Sequence, residues 1–139
     1  MIHYFFENTD EFEIAEYITK GLENLIVSEG KKLGDIQYIF CDDEYLLKVN
    51  QDYLQHDYYT DIITFDYVQG KSINGDIFIS LPRISDNAQL LSTNEEEEFK
   101  RVLIHGILHL CGYKDKTKEE QKLMRSKEDF YIKAMNSRL

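Results

Sequence analysis

Two histidines and an aspartate near the C-terminal end have the types and spacing of a metal site. They lie in the run His105-Gly-Ile-Leu-His109-Leu-Cys-Gly-Tyr-Lys-Asp115. In a helix, residues four apart share one face, so His105 and His109 can bind one ion. A chain reversal at Gly112 can bring the Asp115 carboxylate back as a third ligand. Three protein ligands leave one position open for water, which is typical of a catalytic metal.

The same histidine spacing occurs in metallopeptidases, which carry a glutamate directly after the first histidine as general base. Here that position is Gly106, which has no proton-accepting side chain. A peptidase is therefore disfavoured. A chance pair of core histidines stays an alternative, although burying two imidazoles would require two separate hydrogen-bond solutions.

The helix that would carry the histidines is predicted to begin after Thr93-Asn94 and to end near Gly112. Its first turn is the run 95–98, four glutamates that match the positive end of the helix dipole and predict no binding site of their own. From Phe99 onward it is apolar almost all round, which predicts a buried helix. Thr117 is the expected N-cap of a final helix.

Strand and helix patterns alternate upstream of this helix. The expected strands are Ile2–Phe6, Ile36–Cys41, Ile62–Tyr67 and Asp76–Ser80, and the expected helices begin at Asp10, at Asp42-Asp43 and near Pro82. A turn at 69–71 predicts that the last two strands form a hairpin. The sequence thus predicts an α+β fold in one domain, residues 1–139. About four strands form a mixed sheet with about five helices against it, and the metal site lies at the end of a buried helix.

Composition excludes several classes of protein. The 139 residues suffice for a hydrophobic core, and no stretch approaches the roughly 18 apolar residues of a membrane span. The start, Met1–Phe6, runs directly into acidic residues without the basic region of a signal peptide, so we expect a cytoplasmic protein. Two cysteines are too few for a disulfide framework and are expected to be buried free thiols.

The net charge of −10 is unevenly distributed. Residues 1–98 hold 21 acidic and 6 basic side chains, or −15, and residues 99–139 hold 5 acidic and 10 basic, or +5. An anionic substrate such as a phosphodiester would be drawn to the end that carries the histidines. The alternative, that the lysines only solvate a terminal helix, stays open.

The run from His105 to Asp115 resembles the metal-binding signature of the YbeY family, His-Gly-x-Leu-His-Leu-x-Gly-Tyr-Asp-His. Two further segments are similar to the family in register. Thr60-Asp-Ile-Ile-Thr-Phe65 resembles Thr-Asp-Val-Leu-Ser-Phe, and Gly75-Asp-Ile77 matches Gly-Asp-Ile. The resemblance implies a single-strand-specific metallo-endoribonuclease that matures the 3′ end of 16S rRNA and acts in ribosome quality control. Its metal, with zinc expected, would be held by His105, His109 and Asp115, and single-stranded rRNA and ribosomal subunits would be its partners.

The chain departs from the family pattern at two places. Asp115 stands where the family has a third histidine, and such an anionic ligand would make the metal a weaker Lewis acid. Leu54 stands where the family has an arginine. Arg101, one turn before His105, is the candidate substitute for phosphate binding, and an ion pair with a carboxylate such as Glu97 is the alternative.

The sequence identifies no general base. In the polar loop before Thr60, His56 could line the cleft or face solvent. Tyr58 and Tyr59 could stack on unpaired bases or pack locally without a ligand. A non-catalytic ribosome-assembly or RNA-binding factor with a structural metal remains the alternative function.

Overall fold

The computed structural model describes residues 1–137, which form four strands and five helices. In chain order these are β1 (Ile2–Glu7), α1 (Glu16–Ser28), β2 (Lys32–Cys41), α2 (Asp43–Leu54), β3 (Ile62–Asp66), β4 (Ser72–Ser80), α3 (Leu81–Leu90), α4 (Glu95–Leu110) and α5 (Lys118–Asn136). The strands form one sheet in the order β1-β2-β4-β3. β2 pairs parallel with β1 on one side and with β4 on the other, and β3 pairs antiparallel with β4. The predicted α+β fold, mixed sheet and hairpin are confirmed.

Local hydrogen bonds fix where most helices begin. The side chains of Asp42, Asn94 and Thr117 each accept a hydrogen bond from a backbone N–H three residues on. Thr117 also forms a reciprocal capping box with Glu120. These three predicted helix starts are confirmed, because a cap depends on neighbouring residues only.

Three predicted starts were wrong. α1 begins at Glu16 and not at Asp10, because the preceding segment brings the Phe12 ring to 5.1 Å from Phe6 and 5.7 Å from Phe40. β2 begins at Lys32 and not at Ile36, and β4 begins at Ser72 and not at Asp76, because residues 32–33 pair with residues 72–73. All three errors arise from long-range contacts.

The helix α4 lies directly on the sheet. A Cβ atom on Gly106 would lie 3.0 Å from two methyl carbons of Ile77 on β4 and 3.2 Å from Ile62 on β3. Position 106 therefore faces the sheet, away from the histidines. A glutamate there would enter the core instead of reaching the metal cluster, which gives the glycine a packing role.

Two further predictions concern the cysteines and the membrane. Cys41 is buried as expected, whereas Cys111 is only half-buried, and both are free thiols. Within residues 1–137, no helix combines the length and apolarity needed to cross a membrane.

Candidate metal centre

The last two turns of α4 hold the two histidines side by side. Their side chains are 20 % and 28 % exposed, so both are reachable from solvent although the helix itself is buried. The ring of His105 is nearly perpendicular to that of His109, at 80°, and the two Nε2 atoms lie 2.9 Å apart. The i, i+4 geometry expected from the sequence thus aims both nitrogens at one point.

A turn after α4 returns Asp115 to the histidines. Gly112 has φ +107°, which only glycine adopts without strain, and the N–H of Tyr113 donates to the carbonyl of Leu108 at 3.0 Å. The reversal places Asp115 Oδ2 3.3 Å from Nε2 of His105 and 3.5 Å from Nε2 of His109. The three residues named from the sequence therefore form one cluster.

Hydrogen bonds on the far side of each ring determine which nitrogens face the cluster. Nδ1 of His109 donates to the carbonyl oxygen of Tyr113 at 3.0 Å, and Nδ1 of His105 donates to Oε2 of Glu128 at 2.6 Å. In the neutral rings, both Nε2 atoms then carry lone pairs. Two lone pairs and a carboxylate at mutual distances of 2.9–3.5 Å repel one another unless a proton or a metal ion lies between them.

The electrostatics of the two imidazoles differ. Burial opposes protonation of His105, but the hydrogen bond and charge of Glu128 outweigh it and raise the pKa. Burial and the neighbouring His105 lower the pKa of His109. One proton or one metal ion satisfies this cluster, and a metal competes with the proton.

The donor set fits a divalent ion such as zinc. Tetrahedral zinc with bonds of about 2.0–2.2 Å separates its ligand atoms by roughly 3.3–3.6 Å. The observed separations of 2.9–3.5 Å approach that range. Among residues 1–137, no fourth His, Cys, Asp or Glu joins the cluster, so the set matches the open type of site.

Glu128 of α5 connects the metal cluster to a buried ion pair. The residue is 4 % exposed, and its carboxylate accepts from His105 through Oε2 and from Arg101 Nη1 through Oε1, the latter at 3.0 Å. Arg101 also donates to Asp129 through Nη2 at 2.7 Å. A carboxylate behind a ligating histidine fixes the ring orientation and raises its basicity.

The cluster opens into a cavity of about 780 Å³ between α4, β3 and the loop 55–61. This volume lies within the range of ligand pockets. Seven charged side chains line it besides the histidines, namely Asp61, Asp66, Glu98, Arg101, Asp115, Arg125 and Glu128.

Comparisons with known proteins agree with this geometry. The family model described as Endoribonuclease YbeY matches residues 4–136. This chain belongs to the YbeY endoribonuclease family. Among curated members, "Endoribonuclease YbeY" of Flavobacterium johnsoniae is 54% identical over 129 residues, which cover 93% of each chain. The Porphyromonas gingivalis protein of the same name is 56% identical over 112 residues, which cover 81% of this chain and 74% of that protein.

A solved structure shares the fold. The solution structure of TM1509 from Thermotoga maritima superposes with a TM-score of 0.72 at 25% sequence identity. The match covers 97% of this chain and 89% of that one.

Within this YbeY-family cavity, Arg101 is less available than the sequence suggested. It is 9 % exposed and its guanidinium is held by Glu128 and Asp129, which replace the Glu97 partner considered from the sequence. Arg125 of α5 is exposed and lines the same cavity. It has no hydrogen bond or ion pair with other residues of the described chain, so it is the cation better placed to meet a phosphate.

The loop before Thr60 contributes to the cavity wall. The rings of His56 and Tyr58 stack at 5.2 Å, and a hydrogen bond of 3.0 Å joins Tyr58 Oη to His56 Nδ1. Both residues line the cavity together with Leu54. Tyr58 therefore packs locally and also faces the cavity. Tyr59 does not line the cavity, and its hydroxyl donates to Glu44 Oε1 at 2.7 Å.

Sequence reasoning missed two residues of the site. Glu128 is 23 residues from His105, and no local spacing connects them. Glu98 was attributed to the dipole-matched first turn, yet it is 6 % exposed and lines the cavity. A signal for Glu98 existed, because residues 98, 101, 105 and 109 follow one helical stripe.

Proposed function

We propose that this chain is a metal-dependent endoribonuclease that cleaves single-stranded RNA. The observation that carries the proposal is the convergence of three acceptor atoms at the edge of a cavity, in a chain whose curated relatives are named endoribonucleases. Hydrolysis of a phosphodiester fits an open metal site with an arginine at the cavity wall.

The residues that would hold the ion are His105, His109 and Asp115, and zinc is the ion that best suits two imidazoles and a carboxylate. When bound, the ion would supply Lewis acidity toward a phosphoryl oxygen and lower the pKa of water. The negative charge of Asp115 would moderate both effects compared with a third neutral imidazole.

The other residues would position these groups. Glu128 holds the ring of His105, and the carbonyl of Tyr113 holds that of His109. Arg125 would contact the RNA phosphate, and Arg101 would act mainly by holding Glu128 in place. Arg101 would contact substrate only through the edge of its guanidinium that faces the cavity.

The biological setting in this proposal rests on the family resemblance. It comprises maturation of the 16S rRNA 3′ end, ribosomal subunits as partners and a cytoplasmic location. Single-stranded RNA suits a cavity, because unpaired bases can be splayed out and bound individually.

A non-catalytic RNA-binding factor with a structural metal is the second candidate. Two departures from the family pattern favour it, since Asp115 replaces a ligating histidine and Leu54 replaces an arginine in the cavity lining. The three-ligand cluster favours the enzyme, because structural zinc sites almost always have four protein ligands.

The test compares wild type with His109→Ala, using His3→Ala on β1 as the control. Metal content is measured by elemental analysis, and cleavage is followed on a single-stranded RNA. The proposal predicts that His109→Ala loses both metal and cleavage, while His3→Ala keeps both. Retained metal in His109→Ala would refute the site, and a metal-loaded wild type that binds RNA without cleaving it would favour the binding factor.

A further inference from the structure

Glu98 is a buried carboxylate without a partner of its own. It is 6 % exposed, and its side chain forms no hydrogen bond or ion pair with any residue between 1 and 137. No fully buried side-chain oxygen or nitrogen in this part of the chain lacks a partner. The Glu98 oxygens must therefore be reached from the cavity that the residue lines.

An unpaired carboxylate in such a place is costly for the fold. Burial raises the pKa of Glu98, and Arg101 and Arg125 oppose this from a distance without pairing with it. Burying an ionisable group without a hydrogen-bond partner destabilises a protein. Retaining such a group is explained when a ligand supplies the missing donors.

The position of Glu98 relates it to the metal cluster. It lies seven residues before His105 on α4, which is two turns or about 10.5 Å along the same face. That span is comparable with the distance from the phosphate of a nucleotide to the outer edge of its base. A nucleotide whose phosphate lies at the histidines can thus extend its base toward Glu98.

The carboxylate of Glu98 can bind the bases of RNA but not its phosphates. A carboxylate repels phosphates, and it accepts hydrogen bonds from N–H and O–H groups. Nearby surfaces suit a base, because Val102 lies one turn further along the same face and lines the cavity with Glu98. Arg125 acts on Glu98 electrostatically and can take the adjoining phosphate.

Guanine is the base that matches a carboxylate best. Its Watson–Crick edge presents N1–H and an N2 amino hydrogen side by side, so it can donate to both oxygens at once. Adenine and cytosine each offer one amino group on that edge, and uracil offers one N–H. We propose that Glu98 is the acceptor of a guanine-binding subsite next to the metal cluster.

This inference rests on the proposed function, because it takes single-stranded RNA as the ligand. It adds a preference for guanine at one position beside the scissile phosphate. Discrimination by a bidentate base contact corresponds to roughly tenfold to hundredfold in kcat/KM.

The experiment uses metal-loaded protein and three short single-stranded RNAs that differ at one position. That position holds guanine in the first RNA, the inosine base in the second and adenine in the third. Inosine keeps N1–H and lacks the N2 amino group. Wild type, Glu98→Gln and the control Glu97→Gln are compared. Glu97 is the adjacent exposed residue of the same helix, so the control removes an equal charge outside the cavity.

Cleavage by wild type and by Glu97→Gln should fall about tenfold or more from guanine to inosine. In Glu98→Gln the guanine RNA should be cleaved at that reduced rate, and inosine should cause no further loss. The melting temperature of Glu98→Gln should equal or exceed that of wild type, because an unpaired carboxylate is removed. A loss of stability would assign Glu98 a structural role and overturn the inference.

A second arm measures binding of the same RNAs, made with phosphorothioate linkages to slow cleavage, to metal-loaded protein by fluorescence anisotropy. If wild type binds guanine RNA preferentially and Glu98→Gln does not, the subsite holds even when cleavage fails and the proposed activity falls. If wild type cleaves RNA without base preference, or the preference survives in Glu98→Gln, the subsite is refuted and the activity stands. Loss of one equivalent of metal in Glu98→Gln would identify Glu98 as a metal ligand instead.

Discussion

The imidazole of His105 is held between α4 and α5. Its Nδ1–H donates a hydrogen bond to Glu128, so its Nε2 lone pair points toward His109 and Asp115. Glu128 is in turn held by the guanidinium of Arg101. The metal affinity of the cluster should therefore depend on a residue that would not itself touch the ion.

Glu128→Gln tests this dependence at the residue scale. The substitution keeps the shape of the side chain but removes the charge that orients His105 and supports its basicity. We expect metal affinity to fall about 10- to 100-fold, measured by competition with a chelating dye. Asp129→Asn is the matched control, because Asp129 also pairs with Arg101 but does not touch His105. An equal loss in both variants would mean that the ion pair, and not the contact with His105, matters.

At the scale of elements, the turn after α4 determines where Asp115 lies. Gly112 adopts φ +107°, and a Cβ atom there would meet nothing within 4 Å, so Gly112→Ala introduces backbone strain without a clash. We expect a loss of roughly 1–2 kcal/mol in the free energy of unfolding, together with weaker metal binding. Gly70→Ala, at φ +59° in the turn between β3 and β4, is the control. It should lose similar stability and keep its metal affinity; weakened binding in both would count against a specific role of this turn.

A carboxylate whose side chain is 10 % exposed joins the same turn to α1 and α5. Glu29 accepts hydrogen bonds from the hydroxyls of Tyr113, at 2.5 Å, and of Tyr131. It also forms an ion pair with the ammonium of Lys127 at 3.4 Å. Burial alone would raise the pKa of Glu29, but these hydroxyls and the ammonium outweigh it and lower the pKa below 4.5.

This shift gives Glu29 a defined pH dependence. Because the folded pKa is lowered, ionised Glu29 stabilises the fold above pH 4.5. The contribution is lost as the pH falls through the folded value. The difference in unfolding free energy between wild type and Glu29→Gln, from denaturant titrations, should be largest near neutral pH and shrink in acid. A difference that does not change with pH would exclude this linkage.

At the scale of the whole molecule, charge separation should govern the encounter with RNA. The basic segment 99–139 carries +5 beside the cluster, while residues 1–98 carry −15. Exposed lysines of α5 and the turn before it are expected to contact phosphates.

The triple variant Lys116→Gln, Lys118→Gln and Lys122→Gln should weaken RNA binding and flatten its salt dependence. Each lost phosphate contact lowers the slope of log K against log salt by about 0.7 for a single strand. Lys20→Gln, Lys48→Gln and Lys71→Gln together change the net charge equally within the acidic part, and should leave the slope unchanged. Equal slopes in both triple variants would show that the lysines only solvate a helix.

Much of this account could be predicted from the sequence where the determining contacts are local. Each helix cap, at Asp42, Asn94 and Thr117, depends on a residue three positions away. The metal cluster of His105, His109 and Asp115 lies within one short segment of the chain. The start of β2, the packing of Phe12 and the approach of Glu128 to His105 depend on residues far apart in sequence. Periodicity and capping rules carry no information about those pairings.

The most direct test of the central claim is a metal titration of stripped wild-type protein with two simultaneous readouts, bound metal and cleavage of a single-stranded RNA. We predict that both rise together and saturate at one equivalent of ion per chain, because His105, His109 and Asp115 form the one cluster found among the described residues. Cleavage that persists without metal, or one equivalent bound with no cleavage, would contradict the account.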